Sequence, residues 1–214
     1  MNLPDKYVIT IGRSFGSGGR AVGRIIADKL GIEFYDKKLL TKVAEKSGLN
    51  SEYAQENDER MPHMLCGIIP ISMGYYSGGW FGSAPASGPD HIYNAQCDFI
   101  HEIARAEPCV IVGRSADYIL RDLPNIVNIF VHAPLENCAR RILDRGDAKS
   151  ITEAITMAER TNKLRANFYN FYTDKRWGRA DSYDLCVDSS TMPLDTLADF
   201  IIDFVRIKLS GPRG

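Results

Sequence analysis

Short apolar runs alternate with segments of helical periodicity along most of the 214-residue chain. Runs of apolar and β-branched residues predict five strands, at residues 7–11, 32–35, 109–112, 127–131 and 184–188. Apolar residues three and four positions apart predict helices at residues 22–30, 90–105, 135–144, 150–171 and 193–209. Strands that are apolar throughout and alternate with helices form parallel sheets covered on both faces. The pattern therefore predicts an α/β fold built on one five-stranded parallel sheet.

The segment between the second and third predicted strands departs from this alternation. Asp36 stands where a helix N-cap belongs, before a helix predicted at 37–43, and a polar helix is predicted at 51–59. From 61 to 89, glycines and prolines mix with aromatic residues and no periodicity is present. Loops of this length are typically functional. Since no internal repeat is present, we interpret residues 1–214 as a single domain with an insertion at about 50–95.

Charge and composition exclude several classes of protein. The 26 basic and 27 acidic residues give a net charge of −1, which argues against nucleic acid or an anionic membrane as a partner. No apolar run approaches the roughly 18 residues of a membrane-spanning helix. The N-terminus lacks the pattern of a secretion signal, so a cytoplasmic location is expected. The five cysteines contain no Cys-x-x-Cys pair, which favours reduced thiols over disulfides or a zinc site, and no metal ligands are predicted.

A glycine-rich turn follows the first strand and leads into the first helix. Glycines let backbone N–H groups approach an anion, and the N-terminus of a helix adds a favourable dipole. The turn therefore predicts a phosphate-binding loop. Its candidate residues are Gly12, Arg13, Ser14, Gly16, Ser17, Gly18, Gly19 and Arg20.

This loop is a degenerate version of the P-loop pattern Gly-x-x-x-x-Gly-Lys-Ser/Thr. Gly19 stands at the lysine position and Arg20 at the hydroxyl position. Because the lysine normally meets the β- and γ-phosphates, a substitute cation is expected. Arg13, Arg20 and Arg24 are available, and the sequence favours Arg20. The missing hydroxyl also removes the usual protein ligand of Mg²⁺, and an arginine cannot replace it.

Basic residues are concentrated in a later part of the chain. Between Arg140 and Arg179, ten basic residues accompany five acidic ones. We interpret most of these ten basic residues as belonging to a solvent-exposed helix face. Phosphoryl transfer, however, needs positive charge around an anionic transition state, and we predict that Arg141, Arg160 and Arg165 supply it.

Two further candidates stand directly after predicted strands. Arg114 follows the strand at 109–112, and Asp36 follows the strand at 32–35. Ligands of open α/β sheets gather at the carboxyl ends of the strands. We therefore predict that Arg114 belongs to the site rather than to a surface ion pair. Asp36 fits a site residue and a helix cap equally well.

Taken together, these segments resemble the P-loop nucleoside monophosphate kinases, and most closely the cytidylate kinase-like proteins. The resemblance covers residues 9–204 and rests on segments 12–20 (GRSFGSGGR), 34–36 (FYD), 110–114 (VIVGR), 172–178 (YTDKRWG) and 183–190 (YDLCVDSS). It implies a three-layer P-loop NTPase fold with a nucleotide-binding insertion and a lid at about 141–180 that closes over ATP. Proteins of this family transfer the γ-phosphoryl group of ATP, with Mg²⁺, to a nucleoside monophosphate, typically CMP or dCMP.

The resemblance also assigns roles by position. Residues 16–20 would hold the phosphates of ATP, and Asp36 and Arg114 would line the monophosphate site. Arg141 and Arg160 would be lid-side phosphate clamps and, with Arg20, the catalytic residues. Arg165 matches the arginine of an Asp-x-x-Arg element that grips the acceptor nucleotide.

The chain departs from the family pattern at the acceptor site. Asn162 stands where the Asp-x-x-Arg element has its aspartate, and it is kept as a candidate substrate-binding residue. Ser115 replaces the aspartate that follows the Gly-Arg pair, with Asp117 two residues further on. Since those carboxylates help to recognise the acceptor, the sequence leaves the preference for cytosine open.

Three functions remain open at this point. The first is ATP-dependent phosphorylation of a nucleoside monophosphate, with small-molecule nucleotides as partners. The second is a nucleotide-binding protein of the same fold that has lost kinase activity, which the missing lysine motivates. The third is a kinase for another small metabolite. The sequence favours equally two roles for the aromatic residues Tyr75, Tyr76 and Trp80, closing over a bound nucleotide and forming a homodimer contact.

Overall fold

The structure, a computed structural model, describes residues 3–36 and 89–210. The helices predicted at 37–43 and 51–59, the glycine-rich segment with its aromatic residues and most of the predicted insertion lie outside the described residues. The described elements, in chain order, are β1 (Val8–Arg13), α1 (Gly19–Leu30), β2 (Glu33–Tyr35), α2 (Pro89–Ala106), β3 (Cys109–Val112), α3 (Ala116–Ile119), β4 (Ile126–His132), α4 (Leu135–Asp144), α5 (Ile151–Tyr172), β5 (Leu185–Asp188) and α6 (Leu194–Ser210). A short 3₁₀ helix, Ala180–Ser182, precedes β5.

The five strands form one sheet in the order β2-β3-β1-β4-β5, and every pair is parallel. This confirms the predicted sheet. Because all strands run in the same direction, their carboxyl ends lie along one edge of the sheet, together with the loops that follow them. The segments after β1, β2 and β3, which carry most of the predicted site, therefore share that edge.

Helices cover both faces of the sheet, which confirms the predicted layers. On one face, α1 and α6 pack on the strands through a cluster that includes Ile9, Ile26 and Ile201. On the other face, α2 and α3 pack through a cluster that includes Ile100 and Ile111. None of the described helices combines the length and the apolar character needed to cross a membrane.

Local signals in the sequence account for most helix boundaries. The α1 helix ends at Gly31, which has a φ of 65°, in the left-handed region that favours glycine. At the start of α5, the Ser150 Oγ accepts a hydrogen bond from the Glu153 N–H at 3.2 Å, as expected for an N-cap serine. The Glu153 carboxylate accepts from the Lys149 N–H at 2.8 Å, one residue before the position that a capping box reaches.

Two features of the fold were not predicted. Strand β1 continues to Arg13, because Gly12 and Arg13 pair with β4 opposite Phe130 and Val131. Pairing with a neighbouring strand is a long-range interaction that a glycine in the sequence does not indicate. The α3 helix consists of four residues, too few for a periodic pattern.

Burial along α6 gives a test of the packing. Ile201 is fully buried and Ile207 is 66% exposed on the same helix. We expect Ile201→Ala to lower the free energy of unfolding by about 2–5 kcal/mol, because truncation leaves a cavity in the core. Ile207→Ala should change it by less than about 0.5 kcal/mol. Urea denaturation of both variants measures the difference, and equal losses would contradict the packing of α6 on the sheet.

Candidate functional site

Residues 14–18 connect β1 to α1 in a tight turn, referred to below as the phosphate loop. Gly16 and Gly18 have φ of 81° and 82°, values that favour glycine. A Cβ on Gly16 would lie 2.6 Å from the carbonyl oxygen of Cys138, so no side chain fits there. The first turn of α1 contains no acidic residue. The N–H groups and the positive end of the α1 dipole therefore suit an anion such as a nucleotide phosphate.

The carbonyl of Ser17 anchors the phosphate loop to two other elements. It accepts a hydrogen bond from Arg141 Nη1, at the end of α4, at 2.9 Å and another from the Ser189 Oγ, after β5, at 2.5 Å. Arg141 also donates to the carbonyl of Ser189 at 2.7 Å. The guanidinium of Arg141 thus fixes the loop backbone. Its expected role as a lid-side clamp on phosphate stays a prediction.

The middle of α5 is attached to the phosphate loop as well. The Asn162 Oδ1 accepts a hydrogen bond from the Phe15 N–H at 2.7 Å, and Arg165 Nη1 donates to the carbonyl of Arg13 at 3.0 Å. The guanidinium groups of Arg145 and Arg165 lie 5.6 and 5.5 Å from the centroid of the Phe15 ring. Asn162 and Arg165, predicted to bind the acceptor, therefore contact the donor loop in this structure. Their contact with an acceptor stays a prediction.

Gly12 and Ser14 lie at the start of the turn and take part in packing and pairing. A Cβ on Gly12 would lie 2.7 Å from the Phe130 ring and 3.1 Å from the Tyr183 ring, so glycine lets these two rings approach the sheet. Ser14 continues the strand pairing, because its N–H donates to the carbonyl of Val131 at 3.0 Å. The structure gives Gly12 this packing role inside β1, and its predicted contact with a nucleotide is not tested by it.

Arg20 forms an ion pair with Asp36, which links the start of α1 to the end of β2. Arg20 is 68% exposed and Asp36 only 8%, and the Asp36 Oδ1 is buried without a hydrogen-bond partner among the described residues. Arg24, the other arginine of α1 considered as a substitute for lysine, stacks on the Phe34 ring at 4.0 Å from its centroid.

Arg114 lies in a left-handed turn at the carboxyl end of β3. Gly113, Arg114 and Ser115 have φ of 77°, 66° and 52°, three consecutive residues in the left-handed region. Residues other than glycine adopt this conformation at a cost of order 1–3 kcal/mol each, and such residues cluster at functional sites. The Ser115 Oγ is buried and lacks a hydrogen-bond partner among the described residues. The turn thus places Arg114 at the edge of the sheet where it was predicted.

A buried hydrogen bond joins the segment after Arg114 to the end of α5. The Tyr169 Oη donates to the Asp117 Oδ2 at 2.5 Å, and both residues are buried. Burial raises the pKa of Asp117, and the Tyr169 hydrogen bond and the charge of Lys175 oppose this shift. Burial and the neighbouring Asp117 raise the pKa of Tyr169. Asp117, two residues beyond Ser115, is therefore a packed residue that holds α3 against α5.

The structure brings together most, but not all, of the predicted residues. Asn162, Arg165 and Arg141 contact the phosphate loop, while Asp36 and Arg114 follow the neighbouring strands β2 and β3. Arg160 lies on the exposed side of α5. Its predicted catalytic role is not tested here.

Sequence reasoning missed the partners that hold the loop. Ser189 follows the carboxyl end of β5, so the rule that selected Arg114 could have found it. Phe15 stands inside the glycine-rich turn, where an aromatic residue indicates a packing contact. No signal in the sequence links Tyr169 to Asp117, because aromatic residues at helical spacing usually only pack.

Comparisons with known proteins agree with this geometry. A family model described as "Cytidylate kinase-like family" matches residues 8–191. The chain belongs to the cytidylate kinase-like family. Membership supports a nucleotide-binding phosphotransferase, without naming the acceptor. A search of the curated proteins finds no match to this chain.

Solved structures show the same fold. An uncharacterized protein from Eubacterium ventriosum is 27% identical, with a TM-score of 0.69 over 94% of this chain and 99% of that chain. A gluconokinase from Sinorhizobium meliloti is 16% identical, with a TM-score of 0.56 over 98% of this chain and 96% of that chain. A shikimate kinase from Acinetobacter baumannii, in complex with shikimate, is 13% identical, with a TM-score of 0.53 over 95% and 94%. At these identities the two kinases share the P-loop kinase fold with this chain, as predicted.

The buried Asp117 predicts a pH-dependent stability. Its raised pKa means that the folded protein holds this proton to higher pH than the unfolded chain, whose value is near 3.8. The contribution of Asp117 to stability is therefore greatest at low pH and falls as the pH rises through the window between the two pKa values. Asp117→Asn keeps an oxygen for the Tyr169 hydroxyl and cannot ionise. We expect its free energy of unfolding, relative to wild type, to increase as the pH rises above about 4.

Urea denaturation at several pH values measures this difference. Tyr169→Phe is the matched control, because it removes the donor and leaves the carboxyl buried. It should destabilise the protein by about 1–3 kcal/mol. An advantage of Asp117→Asn that shrinks as the pH rises would contradict the assignment.

Proposed function

We propose that this protein is a kinase that transfers the γ-phosphoryl group of ATP to a nucleoside monophosphate, with CMP and dCMP as the first acceptors to test. One observation carries the proposal. A phosphate loop after β1 stands beside a basic, left-handed turn after β3, and β1 and β3 are neighbours in the sheet. A donor phosphate on the loop and an anionic acceptor at Arg114 would lie at the same edge. Membership of the cytidylate kinase-like family supports the same reaction class.

In this reaction an oxygen of the acceptor phosphate bonds to the γ-phosphorus while the bond to the bridging oxygen breaks and ADP leaves. The attacking oxygen already carries negative charge, so no general base is required. The protein has to position the two nucleotides and neutralise their charge. The N–H groups of residues 16–19 would hold the donor phosphates, and Arg114 the acceptor phosphate. Arg160 remains the candidate for a lid-side clamp.

Mg²⁺, when bound with the nucleotide, supplies further neutralisation between the β- and γ-phosphates. The part of the chain that the structure describes contains no group of three or more His, Cys, Asp or Glu side chains that could hold a metal ion. Arg20 also occupies the position of the usual hydroxyl ligand. A Mg²⁺ ion at this site would therefore enter with the nucleotide and be held by phosphate oxygens and water.

Asp36 favours a second candidate, a kinase for a small hydroxylated metabolite. Its Oδ1 is buried and has no partner among the described residues, and burying such an atom unpaired is costly. A substrate hydroxyl would donate a hydrogen bond to this oxygen, and a carboxylate can take the proton as the hydroxyl attacks the γ-phosphorus. A phosphate oxygen has no proton to donate and would be repelled by the carboxylate.

An acceptor panel distinguishes these functions. Purified protein with ATP and Mg²⁺ is offered nucleoside monophosphates, and separately hydroxylated acids and sugars including shikimate and gluconate, and ADP and the phosphorylated products are measured. We expect CMP or dCMP to give the diphosphate. With a phosphate acceptor, Asp36→Asn should lower kcat less than about 10-fold, whereas with a hydroxyl acceptor the loss of a general base should lower it about 10²- to 10⁴-fold. ATP binding without turnover of any acceptor would favour a protein that has lost kinase activity.

Arg114 gives a direct test of the acceptor site. Arg114→Ala should raise the KM for the acceptor about 10-fold or more, because a charge-assisted contact with its phosphate is lost, and change the KM for ATP less than about 3-fold. Arg121→Ala is the matched control, since Arg121 is exposed and stacks on Tyr118 at 4.2 Å from the ring centroid. If the KM for the acceptor is equal in the two variants, Arg114 is not an acceptor-binding residue.

A further inference from the structure

The side chain of Arg13 fills space that two glycines leave open. A Cβ on Gly19 would lie 2.6 Å from the Cβ and 3.3 Å from the Cγ of Arg13. A Cβ on Gly113 would lie 2.8 Å from the Cζ of Arg13. The side chain therefore begins beside the first residue of α1 and ends with its guanidinium against the end of β3. Any other residue at either glycine would collide with it.

Position 19 is the lysine position of the P-loop pattern, and a side chain there would begin where the Arg13 side chain now lies. We propose that Arg13 replaces the missing lysine and contacts the β- and γ-phosphates of ATP at the transfer site. This inference rests on the proposed function and names the cation for it. An arginine suits this position, because its planar guanidinium can donate to two phosphate oxygens at once.

The positions of the two arginines favour Arg13 over Arg20. The Arg20 side chain is paired with Asp36 at the end of β2, an edge strand separated from β1 by β3. The guanidinium of Arg13 lies against Gly113, at the end of the strand next to β1 and one residue before Arg114. It stands between the loop that would hold the donor and the turn that would hold the acceptor, which is where the γ-phosphoryl group has to pass.

The backbone of Arg13 is held from two sides. It pairs with Val131 in the sheet, and its carbonyl accepts the hydrogen bond from Arg165 at 3.0 Å. The backbone of Arg13 is fixed before the ligand binds. It therefore does not need to be reorganised when charge develops in the transition state. The same arrangement makes the side chain replaceable, since none of these backbone contacts needs it.

Binding measurements test the proposal without requiring turnover. Affinities for a non-hydrolysable ATP analogue and for AMP are measured with Mg²⁺ in wild type, Arg13→Met, Arg13→Lys and Arg24→Ala. Methionine keeps the aliphatic part of the side chain over Gly19, and Arg24→Ala removes an arginine that stacks on Phe34. We expect Arg13→Met to weaken the ATP analogue about 30-fold or more and AMP less than about 3-fold, with partial recovery in Arg13→Lys and no change in Arg24→Ala.

A second set of variants moves the cation from position 13 to position 19. Gly19→Lys alone should impair binding of the ATP analogue, because its Cβ collides with Arg13. Arg13→Gly/Gly19→Lys removes both the Cβ and the Cγ with which the new side chain collides and restores a lysine at the usual position, so it should bind the analogue about 10-fold or more tightly than Arg13→Gly. Thermal melting of every variant shows whether it folds, and Arg13→Lys and Arg13→Met serve if Arg13→Gly does not.

One outcome would overturn the proposal, namely an Arg13→Met variant that binds the ATP analogue as wild type does. A loss of affinity for the analogue in Arg20→Ala would then identify Arg20 as the cation. Failure of the proposed function looks different. Wild type would then phosphorylate no nucleoside monophosphate, and the comparison of the ATP analogue with AMP would still decide the role of Arg13.

Discussion

A loop that turns its N–H groups towards an anion has to bury carbonyl groups on its other side, and the rest of the site depends on how this is done. Buried backbone carbonyls need hydrogen-bond donors. In this protein the Ser17 carbonyl receives two, from Arg141 and from Ser189, which come from α4 and from the end of β5. The phosphate loop therefore depends for its shape on elements far along the chain.

One helix connects the donor side of the site to the acceptor side. In its middle, α5 contacts the backbone of the phosphate loop through Asn162 and the backbone of Arg13, the last residue of β1, through Arg165. At its end, Tyr169 holds Asp117, two residues beyond the left-handed turn that carries Arg114. A rigid element with hydrogen bonds at both places sets the relative position of the two predicted binding regions. This explains why residues that resemble an acceptor-binding element in sequence are found against the donor loop.

Much of the fold could be predicted because its signals are local. Strand β3 and helix α4 have the predicted bounds, and the other described elements differ by a few residues at their ends. Alternation of apolar strands and amphipathic helices is a property of short windows, and it indicates a parallel sheet without knowledge of any contact. The exceptions are α3, which is too short for a periodic pattern, and the last two residues of β1, which pair with a strand that is distant in sequence.

The candidate site could be located in the sequence, but its internal contacts could not. Arg114 and Asp36 were found because the end of a strand is visible in the pattern. The Ser189–Ser17 hydrogen bond joins residues 172 positions apart, and the Phe15–Asn162 hydrogen bond joins residues 147 positions apart. Composition and spacing carry no information about such pairs, since the folded sheet alone decides which side chains meet.

The sequence by itself determined the parallel α/β fold, the position of the phosphate loop and its lack of the usual lysine. Glycine content, apolar periodicity and the order of the elements are sufficient for these, because each acts over a few neighbouring residues. Only the tertiary structure decided which arginine lies where that lysine would begin. Arg20 is closer to the lysine position in sequence, but Asp36 pairs with it at the edge strand, whereas Gly19 and Gly113 leave room for Arg13. Both the space beside the two glycines and the ion pair of Arg20 depend on the packed fold.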